Sequence, residues 1–191
     1  MRIAVLASGS GTILQAIIEA SIPVQLVVTD RACAAEKIAT NNNVVLIRIE
    51  RNSYGKDFDR DAYTCEVRDA LIEQEIDLIA MAGFGTILNK PIYDDFSNRI
   101  LNTHPSLLPS FPGWHAVEEA LEYGVKVTGC TVHIATEEVD AGPILAQESI
   151  PVLKDDTKET LHERIKTVER QLYVDTLNKI IATNALIERD Q

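Results

Sequence analysis

The 191-residue chain has little of what several classes of protein require. Its three cysteines, Cys33, Cys65 and Cys130, are widely spaced and form no Cys-x-x-Cys pair, which argues against a disulfide framework and a zinc site. No apolar run approaches the roughly 18 consecutive residues of a membrane-spanning helix. The first residues lack the longer apolar region and the cleavage context of a signal peptide. We therefore expect a soluble, cytoplasmic protein without membrane contact.

Positive charge is also scarce. Eighteen lysines and arginines face 29 aspartates and glutamates, which gives a formal net charge of −11. A field of this sign repels a nucleic-acid backbone, so we expect no nucleic-acid partner, and any phosphorylated substrate must be small and locally held. The length and the 46% hydrophobic content predict one sizeable core, and hence a single domain spanning residues 1–191.

What the sequence does contain is a regular alternation of short apolar runs and helix-period stretches through its first hundred residues. The predicted strands are 3–6, 24–29, 44–49, 78–81 and 99–103, and predicted helices begin near residues 12, 34 and 58. This alternation indicates βαβ units and a parallel sheet covered on both faces. The N-terminal half is therefore predicted to be doubly wound and Rossmann-like.

Beyond residue 120 the pattern changes. Residues 125–135 and 144–152 are strand-like and have no helix between them, which predicts an antiparallel addition to the sheet. Leu161, Ile165, Val168 and Leu172 then recur at helical spacing after an acidic start signal at 155–159, which predicts a long C-terminal helix. The predicted fold class is α/β, with a mostly parallel sheet and antiparallel C-terminal strands.

A glycine-containing loop, Ser8–Thr12, follows the first predicted strand and opens a helix. Its backbone N–H groups and the positive helix end would bind an anion, although a tight turn without a ligand is the alternative. The dinucleotide fingerprint fails because Leu14 stands where its third glycine belongs. Asp30, after the second strand, does match the position of that fingerprint's ribose-binding acid.

A second motif lies at residues 101–113, at the end of a predicted parallel strand, where open α/β sheets place their ligands. It contains Asn102 and His104, followed by three prolines and a glycine that restrict the loop. An isolated histidine beside an asparagine is more often structural than catalytic. Here the position and the stiff loop favour chemistry.

The string Asn-Thr-His-Pro-Ser-Leu-Leu-Pro at 102–109, with Asp140 thirty-six residues after His104, resembles the formyltransferase family that uses 10-formyltetrahydrofolate. Within that family, the loop Ser8–Thr12, the segment Ala82–Phe84 and the chain length resemble the branch that formylates glycinamide ribonucleotide in purine synthesis. The likeness runs from residue 2 to about residue 180. It implies the formyltransferase fold, and the folate as a co-substrate.

The resemblance implies that Asn102 and His104 lie at the reacting carbonyl and that Asp140 partners His104. When an amine attacks a formyl group, negative charge develops on the carbonyl oxygen, and positioned donors must stabilise it. Asn102 would supply an amide donor, and a cationic His104 would act as general acid. A nearby carboxylate favours the imidazolium form, which gives Asp140 its role. Proton transfer from the amine is expected to use water.

The same resemblance implies further substrate contacts. Gly11, Thr12 and Ile13 would lie at the phosphate of the ribonucleotide, Glu169 at its ribose hydroxyls and Lys166 near its anionic end. The alternative for Lys166 and Glu169, three residues apart on one helix, is a solvated ion pair. The implied folate-binding positions are Arg60, Gly85, Thr86, Ile87, Leu88, Asn102, Thr136, Glu137, Glu138, Val139 and Asp140. Arg60 would lie near the folate glutamate, or would be an ordinary surface charge.

Two sites depart from the family pattern. Family members usually carry asparagine at position 13, where this chain has Ile13, and Met-Arg at positions 85–86, where it has glycine and threonine. Backbone contacts to a pterin would survive the second change, but side-chain contacts would not. Among the other histidines, a buried structural role is favoured for His133, and His162 is expected to be exposed. No pair has metal-ligand spacing, so we predict no metal.

Other functions remain as alternatives. A formyltransferase acting on initiator tRNA and a hydrolase of 10-formyltetrahydrofolate share the Asn, His and Asp residues, but each normally carries an additional domain. A nucleotide-binding module without catalysis leaves those three residues unexplained. The sequence does not decide whether the chain forms a homodimer. By resemblance, the Leu108–Pro109 peptide bond is expected to be cis.

Overall fold

A computed structural model describes residues 1–183; the rest of the predicted domain, residues 184–191, lies outside the described residues. The strands are β1 (Ile3–Ala7), β2 (Val24–Thr29), β3 (Val45–Arg48), β4 (Leu78–Met81), β5 (Ile100–His104), β6 (Val127–Ile134) and β7 (Ile144–Pro151). The helices are α1 (Thr12–Glu19), α2 (Ala34–Asn41), α3 (Arg60–Glu73), α4 (Lys90–Asp95), α5 (Ala116–Tyr123) and α6 (Lys158–Thr183).

The strands form a seven-stranded sheet in the order β3-β2-β1-β4-β5-β6-β7. The first five strands pair in parallel, and β6 and β7 add antiparallel to β5. This confirms the predicted fold class, including the antiparallel C-terminal addition and the long final helix. In a parallel sheet the carboxyl ends of the strands meet at one edge, so the loops after β1, β4 and β5 are brought together.

Both faces of the parallel sheet are covered. Along β1, Ile3 and Val5 pack into the apolar layer formed with α1 and α6, whereas Ala4 and Leu6 pack into the layer formed with α3 and α4. All five residues of β1 are buried, which explains why its sequence is continuously apolar rather than alternating.

Helix α6 is fixed to the sheet through Tyr173, which is fully buried. Its hydroxyl lies 3.1 Å from the carbonyl oxygens of Met81 and Leu101, at the ends of two neighbouring strands. One hydroxyl thereby ties α6 to β4 and β5 beside the motif at 101–113. Among the described helices, none is both long enough and apolar enough to traverse a bilayer.

The start of α6 differs in detail from the acidic signal in the sequence. Thr157 and Thr160 exchange hydrogen bonds between backbone and hydroxyl, at 2.8 and 3.3 Å. Asp156 instead accepts from the backbone of Leu153 and pairs with Arg164. Two threonines therefore cap the helix, because the nearest carboxylate is held by an arginine further along α6. The Leu108–Pro109 bond is cis, which confirms that prediction.

Candidate active site

A cavity of about 400 Å³ opens at the carboxyl edge of the sheet. Its wall combines the loops after β1, β4 and β5, the loop between β6 and β7, and one face of α6. This is the place that the parallel topology predicts for a ligand. The predicted positions that line it are Gly11, Thr12, Ile13, Thr86, Ile87, Leu88, Asn102, His104, Thr136, Val139, Asp140, Lys166 and Glu169.

Strand alternation decides which side chains of β5 share a surface. Asn102 and His104 point to one face, whereas Thr103 points to the other, where α6 packs. The antiparallel neighbour β6 places His133 directly opposite Asn102. The strand end therefore presents polar groups on both of its faces, and all of these residues line the cavity.

His104 is 5% exposed and both of its ring nitrogens face oxygen atoms. Nε2 lies 2.7 Å from the carbonyl oxygen of Phe111, and Nδ1 lies 3.3 Å from Oδ2 of Asp140. A carbonyl oxygen and a carboxylate can only accept hydrogen bonds. The surroundings therefore suit an imidazole that carries a proton on each nitrogen.

Asp140 connects the loop between β6 and β7 to the histidines. Its Oδ2 accepts a hydrogen bond from the Gly113 backbone N–H at 2.8 Å, and its Oδ1 lies 3.6 Å from Nε2 of His133. Burial raises the pKa of Asp140, but the interactions with His133, Gly113 and His104 outweigh burial and hold this pKa below its usual value. Asp140 is therefore an ionised carboxylate inside the cavity wall.

Asn102 is oriented by His133. Its Nδ2 lies 3.2 Å from Nε2 of His133, and Nδ1 of His133 lies 3.0 Å from the carbonyl oxygen of Ile134. Because that carbonyl only accepts, the proton belongs on Nδ1, and Nε2 accepts from the Asn102 amide. The second N–H of the amide remains for a ligand.

The loop after β1 opens helix α1 as the glycine pattern predicts. Gly11 has φ 71°, and a Cβ there would lie 2.9 Å from the Ala35 backbone, so only glycine fits. No side chain caps α1, which leaves the N–H groups of its first turn directed at the cavity. The side chain of Ile13 is buried, so this position offers an anion only its backbone.

On the other side of the cavity, α6 contributes Glu169 and Lys166. Glu169 is 7% exposed and accepts a hydrogen bond from the Thr103 hydroxyl at 2.8 Å. Burial raises the pKa of Glu169. Lys166 binds Glu163 at 2.7 Å rather than Glu169, so the ion pair that was the alternative for Lys166 and Glu169 does not form.

The remaining predicted positions lie apart from the cavity wall. Glu137 and Glu138 are exposed, and Arg60 begins α3. Gly85 stands just behind Thr86, with its N–H bonded to the Ser8 hydroxyl. These four positions are outside the lining of the cavity, and their roles toward folate stay predictions.

Asp30, the apparent ribose acid, is fully buried and serves the architecture of the site. It pairs with Arg31 and accepts a hydrogen bond from the Thr86 hydroxyl at 2.8 Å. Burial raises the pKa of Asp30, but the hydrogen bonds with Arg31 and Thr86 keep it below its usual value. Its carboxylate therefore holds Thr86 in place and does not face a ribose.

Three cavity residues were missed or misjudged in the sequence. His133 is buried, as expected, but it also faces the site, and the strand register that shows this is absent from a linear pattern. His162 lines the cavity instead of being exposed; its spacing of four from Lys166 places both on one helix face. Trp114, which follows the motif at 101–113, lines the mouth and is 71% exposed.

No group of three or more histidine, cysteine, aspartate or glutamate side chains within residues 1–183 is arranged to hold a metal ion. The polar groups that converge on the cavity are instead an amide, two imidazoles and two carboxylates, beside uncapped helix N–H groups. Such a set can bind an anion, stabilise an oxyanion and transfer a proton.

Comparison with known proteins gives consistent results. The model of the Formyl transferase family matches residues 1–177. Phosphoribosylglycinamide formyltransferase of Mycobacterium tuberculosis is 45% identical over 178 residues, which cover 91% of this chain and 81% of the relative.

Solved structures agree with this match. Glycinamide ribonucleotide transformylase 1 of Symbiobacterium toebii superposes with a TM-score of 0.92 at 39% identity, covering 100% of this chain and 91% of the other. Phosphoribosylglycinamide formyltransferase of Bacillus halodurans gives a TM-score of 0.90 at 36% identity, covering 97% of each chain.

Proposed function

The chain belongs to the formyl transferase family, and from this premise we propose that it transfers the formyl group of 10-formyltetrahydrofolate to the amino group of glycinamide ribonucleotide. It is an enzyme of purine biosynthesis, like the relatives whose names specify that step. The observation that carries the proposal is the convergence of Asn102, His104 and Asp140 in one cavity with the uncapped start of α1.

The chemistry requires a stabilised oxyanion. Attack of the amine on the formyl carbon places negative charge on the carbonyl oxygen of a tetrahedral intermediate. The free N–H of Asn102 and a protonated His104 are the donors that would meet this oxygen. Their support in the fold is rigid, because Asn102 is held by His133 and both residues lie on strand β5.

Proton movement follows from the balance of the reaction. The amine loses one proton when the new C–N bond forms, and N10 of the folate gains one when the old C–N bond breaks. His104 is the proposed acid, and water within the cavity is the proposed acceptor for the amine proton. Asp140, ionised at neutral pH, stabilises the positive charge of His104 from 3.3 Å.

The ribonucleotide would lie between α1 and α6. The first-turn N–H groups of α1 would bind its phosphate, which agrees with the requirement for glycine at position 11. Glu169 and Lys166 would contact the ribose and the anionic end. An amine extending from that end towards Asn102 and His104 would meet the formyl group within the same cavity.

The folate would occupy the opposite part of the cavity. Thr86, Ile87 and Leu88 form one wall and Thr136 and Val139 the other, which gives a largely apolar slot for a flat ring. We propose that backbone groups in both segments bind the pterin, because the Thr86 side chain is committed to Asp30.

The proposed reaction is tested by presenting 10-formyltetrahydrofolate with glycinamide ribonucleotide, with initiator tRNA or with water alone, and measuring deformylated folate. We expect turnover with the ribonucleotide only. Turnover with water alone would identify a hydrolase, and turnover with tRNA would move the acceptor to a macromolecule.

A companion variant tests the assignment of the oxyanion donor. Asn102→Ala should lower kcat by about a hundred- to a thousand-fold, the usual effect of removing one such donor, with little change in either KM. A variant with wild-type kcat would remove Asn102 from the mechanism. Circular dichroism of the variant confirms that the fold is retained.

A further inference from the structure

Two arginines lie at the rim of the cavity, on the side of the proposed folate slot. Arg31 follows β2, and its side chain is 40% exposed while it binds Asp30 through Nε and Nη2 at 2.9 and 3.0 Å. Asp30 in turn holds Thr86 of the cavity wall. Arg31 is thus connected to the slot through one buried carboxylate.

Gly85 makes room for this arrangement. A Cβ at Gly85 would lie 3.0 Å from Nη2 of Arg31 and 3.3 Å from the Ser8 hydroxyl. Any larger side chain would push the guanidinium away from the slot. Because the family usually has Met-Arg at positions 85–86, the cation that such a sequence carries on the loop after β4 is supplied here from the end of β2.

Arg51 adds a second positive charge. Its backbone N–H binds the Asp30 carbonyl oxygen at 2.9 Å, and its guanidinium lies 4.5 Å from the ring centres of both Tyr54 and Phe58. Arg31 also lies over Tyr54, at 5.4 Å. None of the ion pairs formed within the described residues includes Arg51.

We propose that Arg31 and Arg51 bind the carboxylates of the glutamyl tail of the folate donor. Asp30 uses two N–H groups of Arg31, which leaves the rest of that guanidinium for a ligand. Planar donor pairs suit carboxylates, and in a chain with a net charge of −11 an anionic tail needs a local cation. The inference rests on the proposed function, since it takes the folate as the occupant of the slot.

The test compares a glutamyl donor with a pteroate donor that lacks the glutamate. We define the tail advantage as the KM of the pteroate donor divided by that of the glutamyl donor. Arg31→Gln and Arg51→Gln should each lower the tail advantage about tenfold, the effect of a lost charge-assisted hydrogen bond, at unchanged kcat. The control is Arg48→Gln, an arginine of similar exposure, 42%, that is paired with Glu36; it should keep the wild-type ratio.

Several results would overturn the inference. An unchanged tail advantage in both variants would do so, as would an equal rise of KM for both donors, or a rise of KM for the ribonucleotide alone. If loss of Arg31 unfolds the protein by leaving Asp30 unpaired, Arg51→Gln decides alone, because it leaves that carboxylate bound to Arg31. The proposed function is judged separately: dissociation constants of the two donors, followed by fluorescence of the single tryptophan Trp114, give the tail advantage without turnover.

Discussion

At the scale of single residues, Asp140 is where most interactions of the site meet. Its carboxylate contacts the Gly113 N–H and lies near both His104 and His133. Its backbone has φ 56°, a left-handed conformation that aspartate and asparagine tolerate better than other residues with a side chain. Both its charge and its backbone conformation are therefore part of the site.

Asp140→Asn changes the charge and keeps the backbone conformation. We expect kcat to fall at least about a hundred-fold, because His104 loses the negative charge that favours its cationic form. Steady-state kinetics with both substrates at saturation measure this. Asp140→Ala, which also strains the left-handed backbone, should be less stable than Asp140→Asn at equal loss of activity.

The same variant has a pH-dependent effect on stability. Since the pKa of Asp140 is lowered in the folded protein, its ionised form stabilises the fold above the ordinary aspartate pKa, and this stabilisation disappears as pH falls through the lowered value. The free energy of unfolding of the wild type should therefore exceed that of Asp140→Asn at neutral pH, and the difference should shrink below about pH 4. Urea titrations across this range measure it, and a constant difference would contradict the assigned ionisation.

His133 is a positioning residue for Asn102. His133→Gln should lower kcat by about tenfold or more, because one orienting hydrogen bond is worth roughly 1 kcal/mol and its loss leaves the amide free to rotate. KM for either substrate should change little. His115→Gln is the matched control, since His115 is exposed and pairs with Glu118 on the surface; a similar loss in both variants would make the effect non-specific.

At the scale of elements, the loop between β6 and β7 fixes where Asp140 stands. Gly142 lies against the end of β6, where a Cβ would be only 1.8 Å from the Ile134 carbonyl oxygen. The Pro143 carbonyl oxygen accepts the Ile134 N–H at 2.9 Å. The loop can take this path only with glycine at position 142, so a residue without a side chain positions a catalytic carboxylate.

Gly142→Ala should therefore destabilise the protein by about 1–3 kcal/mol and also reduce kcat, because relief of the clash displaces the loop that carries Asp140. Thermal unfolding and kinetics measured on the same preparation separate the two effects. Ala141→Ser, an exposed neighbouring position, should leave both unchanged. A stable Gly142→Ala variant with full activity would contradict this account of the loop.

The elements themselves were largely readable from the sequence. β1, β2 and β4 appear as apolar runs because both faces of the sheet are covered. Helix α3 begins one residue after Asp59, whose carboxylate accepts the Ala62 N–H at 2.9 Å, in agreement with the predicted helix from about residue 58. The short helix α4 was not predicted, since six residues give too little periodicity to recognise.

At the scale of the whole molecule, one cavity serves both proposed substrates. The phosphate side, at the start of α1, and the folate side, at Thr86–Leu88, meet at Asn102 and His104. The net charge of −11 makes local donors at each end necessary for anionic ligands. The contrast between the global and the local field accounts for small, charged substrates binding to an acidic protein.

A ligand that binds only the folded protein raises its melting temperature. At a hundred times its dissociation constant, each substrate should contribute about 2.7 kcal/mol, which is roughly 5–10 °C for a chain of this size. Differential scanning fluorimetry with glycinamide ribonucleotide and with a non-reactive folate analogue measures this. We expect the shift with both ligands to exceed either alone; mutual exclusion would contradict two adjoining subsites.

The sequence by itself determined the α/β alternation, the glycine loop before α1 and the identity of Asn102, His104 and Asp140. These features depend on local periodicity, on backbone conformations that few residue types adopt and on a short contiguous motif. The tertiary structure alone decided that His133 faces Asn102, that Asp30 is buried beneath Thr86 and that Arg31 stands beside Gly85. Each of these contacts joins residues from different strands or loops, and the register and packing that bring them together are properties of the folded sheet rather than of any one segment.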